Sequence, residues 1–177
     1  MQQFAQLESK HIEFIQQQHL FFVATAGSDG YVNLSPKGLD SLRVESSSVI
    51  HWLNLTGSGN ETAAHVLENQ RMTLMFNSFA KQPLILRVFG RASMIYKDRN
   101  GWDEKYALFE SHAGARQIFT LNIEMVQTSC GYAVPYYDFV GERNTLDNWA
   151  NKKSTIELEQ YKKNNNRQSI NGKGTGY

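Results

Sequence analysis

The stretch His51-Trp-Leu-Asn-Leu-Thr-Gly-Ser-Gly-Asn-Glu-Thr-Ala-Ala-His-Val-Leu-Glu-Asn-Gln-Arg-Met-Thr-Leu-Met-Phe76 holds the plan of the chain in miniature. It reads as a strand, a glycine-bearing turn, a short helix and a second strand. From Val49 to Leu55, Val49, His51, Leu53 and Leu55 share one parity while Ile50, Trp52 and Asn54 share the other, the alternation of a strand with both faces occupied. Gly57 and Gly59 let the backbone bend. Ser58 followed by Glu61 has the spacing of a capping box, which predicts a helix opening there and running to about Asn69. The turn has two readings. Ser58 and Glu61 cap the first amides themselves, which is the commoner use of such residues, or those amides and the helix dipole receive a phosphate or other anion. The spacing matches neither a Walker loop nor a dinucleotide fingerprint.

Working outward, Phe4, Leu7, His11, Phe14 and Ile15 predict an amphipathic helix over about 8–18. The run 19–26 is a strand closed by the hairpin turn Gly27-Ser28-Asp29-Gly30, with 31–34 as its partner, broken at Ser35-Pro36. Residues 39–48, ending in a serine run, form a polar connection. Met72, Leu74 and Phe76 mark another strand. From Leu84 to Tyr96 the even positions are Leu84, Leu86, Val88, Gly90, Ala92, Met94 and Tyr96, a core face with small residues in its middle. The odd positions mix Ile85, Phe89 and Ile95 with Arg87, Arg91 and Ser93, which suits a subunit interface, an anionic ligand site, or a partly exposed sheet with snorkelling arginines. Trp102, Tyr106 and Phe109 predict a short helix, and 118–127 alternates as a further strand. The segment 130–137 reads as a short edge strand stopped by Pro135. A last amphipathic helix is expected over 145–161, followed by a tail from Lys162 too poor in apolar residues to fold alone.

The expected architecture is therefore mainly β: an antiparallel barrel of about six strands with short flanking helices and a C-terminal helix. Residues 1–142 form the barrel domain and 143–177 the C-terminal helix and flexible tail. With 177 residues, 41% hydrophobic, the chain can bury one core. A net charge of +1 gives no electrostatic case for nucleic acid or an acidic membrane surface. The longest apolar run is too short to span a bilayer, no signal peptide is read, and the lone Cys130 fits a reducing compartment, so a cytoplasmic location is expected. Glu61 and His65 stand four apart on one helix face without a third ligand, so no metal is expected and a local surface pair is the simpler reading. Cys130 beside glycine and tyrosine reads as buried packing, and His51 as a core or interface histidine. No acid and base pair follows from spacing, and the catalytic residues stay unassigned.

Five pieces in order, Asn33-Leu-Ser-Pro-Lys-Gly38, Leu55-Thr-Gly-Ser-Gly-Asn-Glu-Thr-Ala-Ala-His65, Leu84-Ile-Leu-Arg-Val-Phe-Gly-Arg91, Thr128-Ser-Cys-Gly-Tyr132 and Asn166-Arg-Gln-Ser-Ile-Asn-Gly172, resemble the pyridoxamine 5'-phosphate oxidase-like family of FMN-binding split barrels. The resemblance implies a six-stranded split barrel, a homodimer with an FMN in each cleft between subunits, and flavin-dependent oxidoreductase chemistry on a small-molecule substrate it does not identify. It places Trp52 along the flavin ring, Ser58, Asn60, Glu61 and Thr62 at the phosphate, Ser35 and Lys37 beneath the flavin, and Arg87 toward the same cleft. True pyridoxamine 5'-phosphate oxidases carry Ser-Arg-Lys where this chain has Asn60-Glu61-Thr62, so two cations are missing there and vitamin B6 oxidation is not expected. The alternative from another class is a non-catalytic module on the same barrel that holds flavin, deazaflavin or haem.

Overall fold

The structure, a computed structural model, describes residues 1–97 and 99–177. Eight strands form one antiparallel sheet: β1 (Gln2–Phe4), β2 (Phe21–Thr25), β3 (Asn33–Lys37), β4 (Leu42–Ser46), β5 (Val49–Leu55), β6 (Arg71–Asn77), β7 (Ile85–Tyr96) and β8 (Ala115–Ser129). Among the described residues five helices accompany them: α1 (Ser9–Gln16), α2 (Glu61–Asn69), α3 (Trp102–Tyr106), α4 (Thr145–Asn151) and α5 (Thr155–Asn165). The strand order is β3-β2-β6-β7-β8-β5-β4, with β1 also paired to β8. The sheet is of split-barrel type, but it has eight strands where six were expected, and its hydrogen-bonded path does not close.

The two additional strands have plain causes. β4 lies inside the polar connection, where Leu42 and Val44 pair with Trp52 and Ile50 in spite of the serines that follow. β1 is three residues long and pairs with Val126–Thr128, beyond the point where β5 leaves β8. β3 also runs through Pro36 to Lys37, because it is an edge strand and the missing amide of Pro36 costs no ladder bond on its open side. The segment 130–137 is not a strand, and Cys130 is exposed, not packed. The expected last helix is two, α4 and α5, parted at Lys152-Lys153-Ser154. There Ser154 accepts from the Glu157 amide and the Glu157 carboxylate accepts from the Ser154 amide, a capping box that opens α5.

The long strands β7 and β8 carry the core. Leu86, Val88 and Ala92 on the even face of β7 are almost fully buried with Val23, Leu74, Phe76, Ile50, Phe119, Leu121 and Val126. The odd face is mixed, as read: Ile85, Arg87, Phe89 and Ile95 are half-buried and Arg91 and Ser93 exposed. α3 covers a second cluster, Leu53, Trp102, Phe109, Ala115 and Ile118. The register of β7 on β8 shifts between Phe89 and Gly90, and a Cβ built on Gly90 meets the Asn122 carbonyl oxygen at 2.0 Å. Only glycine allows the two backbones to approach so closely and the sheet to coil there.

Gly90→Ala is therefore expected to lower stability by about 3 kcal/mol, as overpacking against backbone does. Urea unfolding checks it; a midpoint within error of wild type contradicts this account of the β7–β8 crossing.

Candidate functional site

Where β5 ends, the chain turns through Gly57, Ser58 and Gly59 into α2, and this turn is one wall of a cavity of about 420 Å³. β3 supplies Asn33, Ser35 and Lys37, β5 supplies Trp52, Asn54 and Leu55, the start of α2 supplies Asn60, Glu61 and Thr62, and β8 supplies Arg116. Seven of the eight residues singled out from the sequence, Ser35, Lys37, Trp52, Ser58, Asn60, Glu61 and Thr62, thus meet in one place. Arg87 does not join them within one chain. It lies half-buried on the odd face of β7, where its Nη1 donates to Ser129 Oγ at 3.2 Å.

The turn is not closed by a capping box. Asn60 is the N-cap residue and no side chain caps the first turn of α2. Ser58 is exposed, and the Glu61 carboxylate faces away from its own helix to accept the Ile170 amide at 3.0 and 3.1 Å. The helix start keeps its positive end toward the cavity. Glu61 and His65 do not act as a surface pair, since His65 is buried with its Nδ1 3.1 Å from Thr25 Oγ1. His51 is buried as well, between Glu45 and Thr120. Among the described residues there is no cluster of three or more potential metal ligands.

Arg116 is the residue that sequence reading missed. The pairing of β5 with β8 shifts between Asn54 and Leu55, which face Gln117 and Ala115, so Arg116 is the extra residue of a bulge. A bulge re-aims a side chain, and here it brings a guanidinium from β8 under the turn. Arg116 is 2% exposed. Its Nη1 donates to Gly59 O at 3.0 Å and to Asn166 Oδ1 at 2.6 Å, and its Nε is buried without a partner among the described residues. Burial lowers its pKa to about 10, with nearby tyrosines pulling the other way, so it stays charged at neutral pH. Lys37 sits with its Nζ 5.2 Å over the Trp52 ring, and its pKa is pushed down to about 8, first by burial and then by repulsion from Arg116. Among the described residues neither cation has a carboxylate partner.

A polar network fixes this wall. Gln117 Nε2 donates to Asn60 Oδ1 at 2.9 Å, and Asn60 Nδ2 donates to Tyr96 Oη at 3.2 Å and to Asn166 O at 3.3 Å. Asn166 Nδ2 donates to Gly57 O at 3.0 Å. Trp52 is a core residue at the cavity floor, 2% exposed and stacked on Phe119 with ring centroids 4.8 Å apart.

Two unneutralised cations facing an uncapped helix start make a place for an anion, and the orphaned Arg116 Nε is a donor in want of an acceptor. The one carboxylate on the rim, Glu61, is held by a backbone amide. The donor set of these residues fits a phosphate-bearing ligand such as FMN.

Residues 7–130 match the family model described as Pyridoxamine 5'-phosphate oxidase. A curated relative, the pyridoxamine 5'-phosphate oxidase family protein ustO of Aspergillus flavus, is 41% identical over 137 residues, covering 72% of this chain and 53% of that protein. The chain thus spans about half the length of this curated relative. Among solved structures, a candidate pyridoxamine 5'-phosphate oxidase from Lactobacillus delbrueckii superposes with a TM-score of 0.56 at 21% identity, over 70% of this chain and 95% of that one. HupZ of Group A Streptococcus superposes with a TM-score of 0.54 at 16% identity, over 75% and 99%. At these identities the structural likeness is one of fold.

Removing the Asn166 amide leaves Arg116 and the Gly57 carbonyl short of partners, so Asn166→Ala is expected to cost about 1–3 kcal/mol. Thermal unfolding against Asn165→Ala, an exposed side chain that bonds only within α5, checks this. Equal melting temperatures for the two contradict it.

Proposed function

The chain belongs to the pyridoxamine 5'-phosphate oxidase family, and from that premise we propose that it is an FMN-dependent oxidoreductase that binds the flavin phosphate between Lys37, Arg116 and the start of α2. The observation that carries the reading is a pair of cations, half-buried Lys37 and buried Arg116, lining one cavity without a carboxylate partner among the described residues, with Arg116 depressing the pKa of Lys37 by repulsion. A dianionic phosphate relieves that repulsion and pairs with both. When bound, FMN supplies hydride or electron transfer, and the protein supplies position and hydrogen bonds. Asn33, Ser35 and Asn54 line the same cavity and offer amide and hydroxyl groups to the polar parts of the cofactor. Trp52 and its stack with Phe119 give the floor a rigid apolar surface.

The cavity contains no histidine or cysteine among its lining residues. That favours, as a second reading, a flavin carrier without chemistry of its own, and reduction of the bound flavin by a nicotinamide donor followed by reoxidation by an acceptor separates the two. The half-exposed odd face of β7, with Phe89, and the exposed Tyr31, Val32 and Leu34 of the β2–β3 hairpin form the surface that a second copy covers in this reading. Sedimentation equilibrium is expected to give twice the chain mass of 20.2 kDa; a monomer at micromolar concentration removes the homodimer.

Titration of FMN against flavin fluorescence tests the phosphate site. Loss of a charge-assisted bond of about 1.5–3 kcal/mol predicts a 10- to 100-fold weaker affinity for Lys37→Ala. The pH dependence has a definite sign. In the free protein Lys37 loses its proton near pH 8, whereas a bound phosphate favours the charged form, so binding takes up a proton above that pH and affinity falls as pH rises through 8. In Lys37→Ala this fall is absent. Equal affinity in wild type and variant, with the same pH profile, overturns the assignment.

A further inference from the structure

Residues 166–177 leave the end of α5 and return across the molecule to the turn before α2. Little apolar burial draws them there: Ile170 is 72% exposed, and the buried members of the segment are Asn166, Ser169 and Thr175. What holds the segment is a set of polar bonds to the cavity wall. Asn166 takes the Arg116 guanidinium on its side-chain oxygen, gives its side-chain nitrogen to Gly57 O, and receives on its carbonyl both Asn60 Nδ2 and Thr175 Oγ1, the latter at 2.6 Å. The Ile170 amide holds the Glu61 carboxylate. Tyr96 donates to Thr175 O at 2.6 Å. Farther out, Lys173 Nζ bridges Asp29 of the β2–β3 hairpin and Glu68 of α2, the latter at 2.7 Å. A short bridge between Gln168 and Gly174 ties the segment to itself.

Of the residues this segment grips, Gly57, Asn60, Glu61 and Arg116 belong to the lining of the cavity. We propose that the C-terminal segment is a strap that positions the phosphate site, and that its docking and the binding of the cofactor are coupled. The proposal rests on the reading of the cavity as an FMN site. Docked, the strap fixes the guanidinium of Arg116 from its far side and holds Glu61 by the Ile170 amide, so that the rim carboxylate is spent on a backbone donor. Undocked, it releases Glu61 beside the phosphate turn, where its charge opposes an anion, and leaves Arg116 with Gly59 O alone. Coupling is reciprocal: whatever the strap adds to the affinity for the cofactor, the cofactor adds to the docking of the strap.

Lys173 is the residue to change, since it is not part of the cavity lining and its side chain bonds only through the outer latch. Lys173→Ala is expected to weaken FMN binding three- to tenfold, and Lys173→Arg to restore it. Limited trypsin digestion supplies the second readout. Arg167 is exposed within the strap, and saturating FMN is expected to slow cleavage after it at least fivefold in wild type, and by a smaller factor in Lys173→Ala. If wild type binds FMN but Lys173→Ala binds it equally well, and FMN leaves cleavage at Arg167 unchanged, the strap is overturned while the FMN site stands. If wild type does not bind FMN at all, both fall together.

Discussion

A guanidinium buried without a carboxylate is the constraint around which this structure is arranged. Taking a charge out of water is costly, and an arginine cannot escape by losing its proton at neutral pH. Arg116 meets that cost with the carbonyl of Gly59 and the amide oxygen of Asn166, while its Nε is buried without a partner among the described residues. Lys37 of β3 lines the same cavity, and burial and repulsion from Arg116 together lower its pKa. The wall is stiffened by a connected set of residues, Gln117, Asn60, Asn166, Thr175 and Tyr96, each bonded to the next. A site of this kind is organised before its ligand arrives, with the ordering already met by folding.

The bulge that delivers Arg116 and the crossing that delivers Gly90 are two uses of one device on β8. At the crossing, Glu124 is the extra residue of β8 and Gly90, having no Cβ, lets the two strands come close; at the bulge, the extra residue is Arg116 itself and its side chain turns inward. The core between them is ordinary. Leu86, Val88, Leu74, Ile50 and Phe119 interdigitate as an alternating sheet dictates, and α3 seals the other face over Leu53 and Ile118. The candidate site therefore lies at one end of the sheet, where β5 ends, β8 and α2 begin and β3 runs alongside.

Six of the eight strands were legible, four from alternation, the run 19–26 from its apolar composition and 31–34 as its partner across a hairpin turn, and the turn into α2 was legible from its glycines. β4 was hidden by the serines around it, and β1 was too short to carry a period. The break between α4 and α5 was present in the sequence as Ser154 followed by Glu157, though the apolar spacing across it suggested a single helix. For the site, proximity in sequence decided what could be seen. Seven residues of the cavity lie on motifs read along the chain. Arg116 stands just before the expected strand at 118, and its role follows from a register shift against β5 that no single segment displays. Asn166 acts on Gly57 across 109 positions, and a tail docked by polar bonds leaves no hydrophobic signature. Ser58 and Glu61 had capping spacing, yet Glu61 found its donor in that tail.

The central claim is that Lys37, Arg116 and the start of α2 form a phosphate site that holds one FMN per chain. The visible absorption spectrum of the protein as purified, followed by titration with FMN, tests it most directly. The account predicts flavin bands in the purified protein, or saturable quenching of flavin fluorescence at about one FMN per chain that inorganic phosphate weakens by competition. A colourless protein that leaves FMN fluorescence unchanged across the titration would contradict it.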